Sequence, residues 1–334
     1  MLKDEHAMTE IHAIVLTCNE ELHIARCLTS IHEICTSITV IDSGSSDRTV
    51  EIARSFGADV IVNPWVNYAT QLNFGIDKLE GRGGWLMRID ADEHLPPESA
   101  RALPAVLTNL TAGDDGVLVR RQIVFLGRRI RWGGIEPSWQ LRLWRCGRGA
   151  CEQRWMDEHV VVRGGVAKSP IEFVDENLNS IDWWTSKHNN YASREVIDML
   201  ASLSLLDGYE DLTRSSASRQ AKLKRFIKER IYNRLPGGIR TVAYVLYRYV
   251  LRLGFLDGKP GYYFHILQGF WYRTLVDAKL AEVLMLSEQQ GLELAEAVKK
   301  ATGIDPRASR PRRAAVPEDA PARPPSMVEG SRHD

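Results

Sequence analysis

Residues 84–97 read GWLMRIDADEHLPP, and they predict a buried strand that runs directly into a cluster of carboxylates. The apolar run Trp85–Met87 is followed within a few residues by Asp90, Asp92 and Glu93. Like charges held this close repel one another, and burying them is unfavourable unless a cation balances them. A divalent metal is the simplest such cation, so the stretch predicts a metal site at the end of a strand.

The residues before and within this stretch alternate between strand-like and helix-like patterns. β-Branched runs predict the strands, and apolar residues at helical spacing predict the helices between them. The predicted strands lie at 11–17, 37–44, 58–63 and 84–90, and the predicted helices lie at 19–31, 46–57 and 68–80. This alternation predicts βαβ units, and therefore an α/β fold with a parallel sheet flanked by helices.

Polar side chains follow three of the four predicted strands. Glu20 comes just after the first strand, Asp42 ends the second, and Asp90 and Asp92 end the fourth. Ligands of such sheets bind beyond the carboxyl ends of the strands, so topology alone predicts a site at this edge. The Ser/Gly turn after Asp42 offers backbone N–H groups to a nucleotide, although an ordinary βα turn is the alternative.

The triplet Asp90-Ala91-Asp92 is open to three interpretations. Mg²⁺ or Mn²⁺, bound by one or two carboxylates and by substrate phosphates, suits the end of an apolar strand. A solvated turn is the second interpretation. A phosphatase of the haloacid dehalogenase type would need Thr or Val at the fifth position of its motif, where this chain has His94. We therefore favour the metal site.

The charge of the chain is unevenly distributed. The formal net charge of the 334 residues is zero, yet residues 219–279 hold thirteen Lys or Arg and only three Asp or Glu. Within them, 221–236 and 240–256 predict amphipathic helices. Basic amphipathic helices lie in the membrane interface and are attracted by anionic lipids; a helical bundle packed on the catalytic domain is the alternative. We do not expect nucleic-acid binding, because no such motif is present and the stretch is strongly apolar.

Other features indicate a cytoplasmic protein. The five cysteines form no CxxC pair, which is typical of reduced thiols. The polar N-terminus predicts no signal peptide. The longest uncharged stretch near the C-terminus, 260–272, has 13 residues, short of the roughly 20 that span a bilayer.

We divide the chain into four parts on composition and pattern. They are an N-terminal tail at 1–10, a catalytic domain at 11–206, a basic, membrane-associating helical region at 207–300, and a disordered tail at 301–334. The last part is rich in Pro, Arg and Ala and nearly free of aliphatic residues, so it cannot form a core.

Three stretches taken together resemble family 2 glycosyltransferases, which have the GT-A fold. They read IVLTCNEELHIARCLTSI, VIDSGSSDRTVEIARSFGADVI and WLMRIDADEHLPPE, and they follow the family's order over residues 11–100. VDENLNSIDWWTSKHNNYASRE (174–195) and LQGFWYRTLVDAKLAE (267–282) are similar to segments of lipopolysaccharide-core and exopolysaccharide β-glucosyltransferases. The fold implied is a Rossmann-like GT-A domain with a mostly parallel sheet, followed here by an amphipathic helical region.

The same resemblance implies an activity. It is the inverting, metal-dependent transfer of a hexose, glucose in the first place, from a UDP-sugar to a lipid-linked saccharide acceptor. The acceptor would belong to lipopolysaccharide core or exopolysaccharide biosynthesis, and the enzyme would be peripheral on the inner face of the cytoplasmic membrane. A polyprenyl-phosphate glycosyltransferase and a catalytically idle GT-A scaffold are the alternatives.

The resemblance also implies roles for matching positions. Thr17, Glu20 and Asp42 would hold the uracil and ribose of the UDP-sugar. Asp90 would approach the ribose and the metal, and Asp92 would bind the Mg²⁺ or Mn²⁺ that bridges the diphosphate.

Two further assignments concern the chemistry. Inverting members use a carboxylate base, for which Asp157 and Glu158 in RWMDEHVVV (154–162) are the candidates, with a surface turn as the alternative. Arg142 in QLRLWR (140–145) is a candidate contact for the diphosphate, with a strand-face charge as the alternative.

Overall fold

The structure is a computed structural model that describes residues 9–152, 159–202, 206 and 237–307. These residues divide into two compact units. The first unit comprises the residues up to Ser180 except Trp132–Ile135, and the second unit comprises Trp132–Ile135 and the residues from Ile181 onward. The predicted basic helix at 221–236 and most of the predicted tail lie outside the described residues.

A mixed nine-stranded sheet forms the centre of the first unit. Its strands are β1 (Ile11–Thr17), β2 (Ser37–Asp42), β3 (Asp59–Val62), β4 (Trp85–Asp90), β5 (Glu93–His94), β6 (Asp114–Phe125), β7 (Arg128–Ile130), β8 (Ser138–Arg145) and β11 (Gly165–Glu176). β9 (Gly149–Cys151) and β10 (Val160–Val162) form a separate antiparallel pair. The order across the sheet is β3-β2-β1-β4-β8-β6-β11-β5, with β7 paired to β6.

The first half of the sheet has the predicted parallel arrangement. β1 pairs in parallel with β2 and with β4, and β2 pairs in parallel with β3. β8 then runs antiparallel to both β4 and β6, whereas β11 is parallel to β6. The predicted α/β fold is confirmed, and all four predicted strands are present.

Helices cover both faces of β1. They are α1 (Ile24–Ile31), α2 (Thr49–Ser55), α3 (Tyr68–Lys78) and α4 (Pro97–Thr108). Ala13 and Val15 belong to the buried cluster that includes residues of α1 and α4, whereas Ile14 and Leu16 belong to the cluster that includes residues of α3. β1 is buried on both faces, and this explains why its sequence is continuously apolar rather than alternating.

α1 is shorter than predicted, and α4 was not predicted. α1 begins at Ile24 instead of residue 19, because Asn19 has a φ of 57° and cannot belong to a right-handed helix. Pro97, which lies beyond the fourth predicted strand, is the first residue of α4. Proline suits this position because its missing N–H would have no partner in the first turn of a helix.

The second unit is helical. Its helices are α5 (Ile181–Ser202), α6 (Gly237–Leu246), α7 (Gly258–His265), α8 (Tyr272–Gln290) and α9 (Leu294–Thr302), with π-helical turns at Tyr247–Leu251 and Ile266–Trp271 and a 3₁₀ turn at Gly254–Asp257. The predicted C-terminal helical region is therefore present. No helix in the described ranges combines the length and the apolar character that crossing a membrane requires.

α5 belongs to the second unit, whereas the sequence suggested that it closes the catalytic domain at residue 206. The reason is its packing on α8. The hydroxyl of Tyr272 donates to Glu195 at 2.7 Å, and Lys279 Nζ donates to Ser193 Oγ at 3.0 Å. These long-range contacts place the boundary before Ile181.

Candidate active site

The polar residues predicted at the carboxyl ends of the strands do lie at one edge of the sheet, because the strand register aligns them. Thr17 pairs with Asp42 across β1 and β2, and Leu16 pairs with Asp90 across β1 and β4. The hydroxyl of Thr17 donates to Asp42 Oδ1 at 3.1 Å. Parallel strands in this register necessarily end at the same edge, and this is why topology sufficed to predict the site.

Asp42 shapes the turn that follows β2. Its Oδ2 accepts the backbone N–H groups of Gly44 and Ser45 at 2.9 and 2.8 Å. The Ser45 hydroxyl and Thr17 donate to Oδ1, and the Asp42 side chain is buried. Gly44 has a φ of 96°, a region that favours glycine. The predicted contact of Asp42 with a base or ribose stays a prediction.

Glu20 lies beside a buried histidine at the end of β1. Its carboxylate contacts His23 Nδ1 at 2.6 Å, and the N–H of Leu178 donates to His23 Nε2 at 2.8 Å. Because Nε2 accepts this bond, it carries no proton, and the proton lies on Nδ1 facing Glu20. His23 thus connects Glu20 to the segment that follows β11.

Two arginines and a tyrosine surround the carboxylate of Asp90. Arg88 Nη2 and Arg142 Nη1 donate to Oδ2 at 3.0 and 3.3 Å, and the hydroxyl of Tyr68 donates to Oδ1 at 3.0 Å. Burial alone would raise the pKa of Asp90, but the charges of Arg88 and Arg142 outweigh it and hold the pKa well below its usual range. Asp90 is therefore ionised and fixed in one orientation.

Residues 90–93 form a loop with three carboxylates, which we call the carboxylate loop, and Arg142 is buried against it. Its guanidinium contacts both Asp90 and Glu93, and the side chain is almost completely buried. Glu93 Oε2 also accepts the backbone N–H of Asp90 at 3.1 Å. Burial raises the pKa of Glu93, and the charge of Arg142 opposes that shift. In this position Arg142 is the internal counterion of the loop and presents no surface to a diphosphate.

Asp92 is partly exposed, and neighbouring residues donate hydrogen bonds to its side chain and to its backbone carbonyl. Asn177 Nδ2 donates to its Oδ2 at 3.1 Å, and its backbone carbonyl accepts from Arg26 and from the N–H of Glu176. Arg26 also donates to the carboxylate of Glu176 at 2.6 Å, so that α1, the loop and the end of β11 are held together.

The donor set fits a hard divalent cation that shares its ligands with a substrate. No three His, Cys, Asp or Glu side chains of the described residues gather into a complete metal site. Mg²⁺ and Mn²⁺ are commonly bound by one or two carboxylates plus substrate phosphates, and Asp92 supplies such a carboxylate at the ligand edge. Asp90 is close by in sequence, but its oxygens already contact Arg88, Arg142 and Tyr68.

Several residues of the site were not predicted. The contact of Arg88 with Asp90 could have been predicted from the sequence, because residues two apart on a strand share a face and Arg88 precedes Asp90 by two. Arg26, Tyr68 and Asn177 carried none, since each reaches the loop from a distant part of the chain.

The proposed bases Asp157 and Glu158 lie outside the described residues. The segments on either side of them are paired. Cys151 and Val160 are partners in the β9–β10 ladder, and the N–H of Glu152 donates to the carbonyl of His159 at 2.9 Å. The assignment of the base stays a prediction.

The chain is similar in sequence to known glycosyltransferases. Residues 13–166 match the family model for glycosyl transferase family 2. An uncharacterised glycosyltransferase of Rickettsia typhi is 41% identical over 91 residues, which are 27% of this chain and 30% of that protein. The lipopolysaccharide core biosynthesis glycosyltransferase LpsC of Rhizobium meliloti is 29% identical over 168 residues, which are 48% of this chain and 60% of LpsC. In both cases the matched part is less than two thirds of the relative's length.

Among solved structures, the mannosyltransferase PcManGT of Pyrobaculum calidifontis, in complex with GDP-Man and Mn²⁺, superposes with a TM-score of 0.45. It is 13% identical, and the match covers 83% of this chain and 88% of that one.

Proposed function

We propose, from the match of residues 13–166 to the family model for glycosyl transferase family 2, that the chain transfers a hexose from a UDP-sugar to a lipid-linked saccharide. Glucose is the first candidate for the sugar, and the acceptor belongs to lipopolysaccharide core or exopolysaccharide biosynthesis. The observation that carries the proposal is the convergence of Asp42, Asp90 and Asp92 at one edge of the sheet. The naming of LpsC as a lipopolysaccharide core enzyme supports the choice of acceptor.

In this proposal each carboxylate has a separate task. Thr17, Glu20 and Asp42 border the pocket for uracil and ribose. Asp92 holds Mg²⁺ or Mn²⁺, which when bound neutralises charge on the departing diphosphate. Asp90, oriented by Arg88 and its other donors, presents an ionised carboxylate to the ribose side of that site.

The stereochemical outcome follows from the absence of an enzyme nucleophile in the proposed reaction. A carboxylate base, Asp157 or Glu158, removes the proton of the acceptor hydroxyl, which attacks the anomeric carbon in one displacement. An α-linked donor then gives a β-linked product. If Asp157→Ala and Glu158→Ala both retain most of the wild-type kcat, neither residue is the base.

Calorimetric titration with UDP, with and without Mn²⁺, tests the nucleotide site. Wild type should bind UDP in a metal-dependent manner, and Asp92→Ala should abolish the metal-dependent part. Asp59→Ala is the matched control, because Asp59 is an exposed carboxylate at the start of β3, at the opposite end of the strand from the site. Absence of UDP binding under every metal condition would contradict the proposed donor.

Product analysis separates the remaining functional alternatives. Wild-type protein incubated with a UDP-hexose and membranes should form a glycosylated saccharide lipid. Transfer to polyprenyl phosphate instead would identify the other class of acceptor. Failure to transfer to any membrane lipid, together with intact UDP binding, would indicate a catalytically idle domain.

A further inference from the structure

Several polar side chains are buried in the part of the second unit that runs from α6 to α7. Thr241, Arg248, Asp257 and His265 are all buried, although they belong to α6, α7 and the turns between them. Arg248 Nε donates to the carbonyl of Gly133 at 3.3 Å, in the segment Trp132–Ile135 of the same unit. Polar side chains are therefore buried in this region together with the ring of Phe264, in contrast to the apolar core of the first unit.

The outward face of the same region is apolar. We define the apolar outer surface by six exposed residues, which are Val242, Leu246, Val250, Leu251, Phe255 and Tyr262. The first three lie four residues apart and therefore form one stripe along the helix. Leu251 is 73% exposed and Leu246 is 55% exposed.

The helical stripe and the turns after it form one continuous surface. The ring of Tyr249 lies 6.3 Å from the ring of Phe255 and 5.9 Å from that of Tyr262. Trp132 is 42% exposed, and its backbone N–H donates to Asp257 Oδ2 at 2.9 Å, so the backbone of a tryptophan of the same unit is held at the 3₁₀ turn Gly254–Asp257.

Within residues 237–276 the exposed charged residues are all basic. Between residues 237 and 276 the only acidic residue is Asp257, and its side chain is buried. Arg252 and Lys259, in contrast, are exposed. A surface with apolar, aromatic and basic groups and no exposed carboxylate is complementary to a layer of anionic headgroups over acyl chains.

We infer that the apolar outer surface of the second unit inserts into the interfacial region of a bilayer that contains anionic lipids. Leucine and valine side chains would enter the boundary of the acyl chains, while the aromatic rings and the exposed Arg252 and Lys259 contact the headgroups. The sequence predicted attraction through basic helices; the structure adds insertion of apolar side chains.

The inference deepens the proposed function and rests on it in one respect, namely that a membrane-bound acceptor explains why the enzyme docks there. Vesicle binding itself is measured without donor or acceptor. A protein that binds vesicles but not UDP would therefore disprove the proposed donor and leave the docking surface intact.

Flotation of the full chain with vesicles tests the inference. Vesicles of phosphatidylcholine alone are compared with vesicles that contain about one third phosphatidylglycerol. Wild type should bind both, and the anionic vesicles more tightly at low salt. High salt should remove that difference but leave the binding to neutral vesicles, because screening does not affect apolar insertion.

Leu246→Glu combined with Leu251→Glu is the informative variant. Each leucine withdrawn from the bilayer should weaken vesicle binding about tenfold, whereas folding is unaffected because both side chains already face solvent. Leu126→Glu is the matched control, since Leu126 is also 55% exposed but belongs to the first unit. Circular dichroism confirms that all variants are folded.

Three results would overturn the inference. They are wild-type protein that floats with neither kind of vesicle, a double leucine variant that binds as tightly as wild type, and control and double variants that lose binding equally. If wild type is instead a dimer in solution that the leucine substitutions dissociate without changing vesicle binding, a second copy of the chain covers this surface and the inference is wrong.

Discussion

Arg142 is the residue on which the carboxylate loop depends most. Its buried guanidinium contacts Asp90 and Glu93, so Arg142→Met would leave a buried carboxyl without its counterion. We expect the free energy of unfolding to fall by about 3 kcal/mol or more, the usual effect of breaking one side of a buried pair. Urea denaturation of the first unit measures the loss.

Two comparison variants make this prediction specific. Adding Glu93→Gln to Arg142→Met replaces the buried carboxyl that has lost its partner by a neutral amide and should restore at least half of the lost stability. Arg48→Met should leave stability nearly unchanged, because the side chains of Arg48 and its partner Glu51 are both largely exposed. Equal losses for Arg142→Met and Arg48→Met would show that the buried contacts are unimportant.

His265 makes the stability of the second unit depend on pH. Its burial, together with the nearby charge of Arg248 and against the opposite effect of Asp257, lowers its pKa to about 4. An unfolded histidine takes up a proton below about pH 6.5, so acidification favours the unfolded chain until the folded histidine is also protonated. The contribution of the neutral His265 to the free energy of unfolding is fully present above pH 6.5, and up to about 3 kcal/mol of it is lost between pH 6.5 and 4.

Hydrogen exchange of the α7 amides, corrected for the intrinsic rate, measures this effect within the second unit. Other groups titrate in the same range, so the relevant quantity is the difference between wild type and His265→Gln. We expect the wild type to lose protection more steeply on acidification. Identical slopes for the two proteins would mean that the imidazole is protonated at its ordinary pKa.

At the scale of elements, the segment Trp132–Ile135 leaves almost no space for a side chain at Gly133. Gly133 has a φ of 72°, and a Cβ there would lie 2.2 Å from Cε1 of His265. Gly134 has a similar φ of 77°, but a Cβ there would only touch Arg252 at ordinary contact distances. Gly134→Ala should therefore cost only the left-handed strain of about 1–2 kcal/mol, whereas Gly133→Ala should add a clash with a buried ring.

The two alanine variants are compared through the same α7 amides. Gly133→Ala is expected to lower their protection by at least about 1 kcal/mol more than Gly134→Ala does. Because the backbone strain is nearly equal in the two variants, the difference reports the packing of Gly133 on α7. Equal effects would indicate that the segment can move away from His265 at little cost.

At the scale of the whole molecule, nucleotide binding and membrane binding are assigned to different units. Asp92→Ala should lose metal-dependent UDP binding and keep its affinity for vesicles. The Leu246→Glu and Leu251→Glu double variant should show the opposite pattern, because its substitutions lie in the second unit. Calorimetry and flotation on both variants check this. Loss of both activities through either change would show that the units do not act independently.

The first half of the sheet was predictable because its signals are local. A strand such as β1 is an uninterrupted apolar run, and α3 begins after Asn67, whose side chain accepts the N–H of Thr70. β5 and β11 were not predicted. The two residues of β5 form a strand only because Val174 and Asp175 lie opposite them, and no pattern within two residues reveals such a partner.

The amino-acid sequence by itself determined the α/β class and the convergence of Asp42, Asp90 and Asp92, because apolar periodicity sets each strand and parallel register brings their ends to one edge. Tertiary structure decided which side chains contact those carboxylates from distant parts of the chain. Arg142 and Asn177 reach the loop from β8 and from beyond β11, at separations that no local pattern encodes. It also decided that Arg248 points inward while its helix exposes Leu246 and Val250, since burial depends on the neighbours that a helix meets.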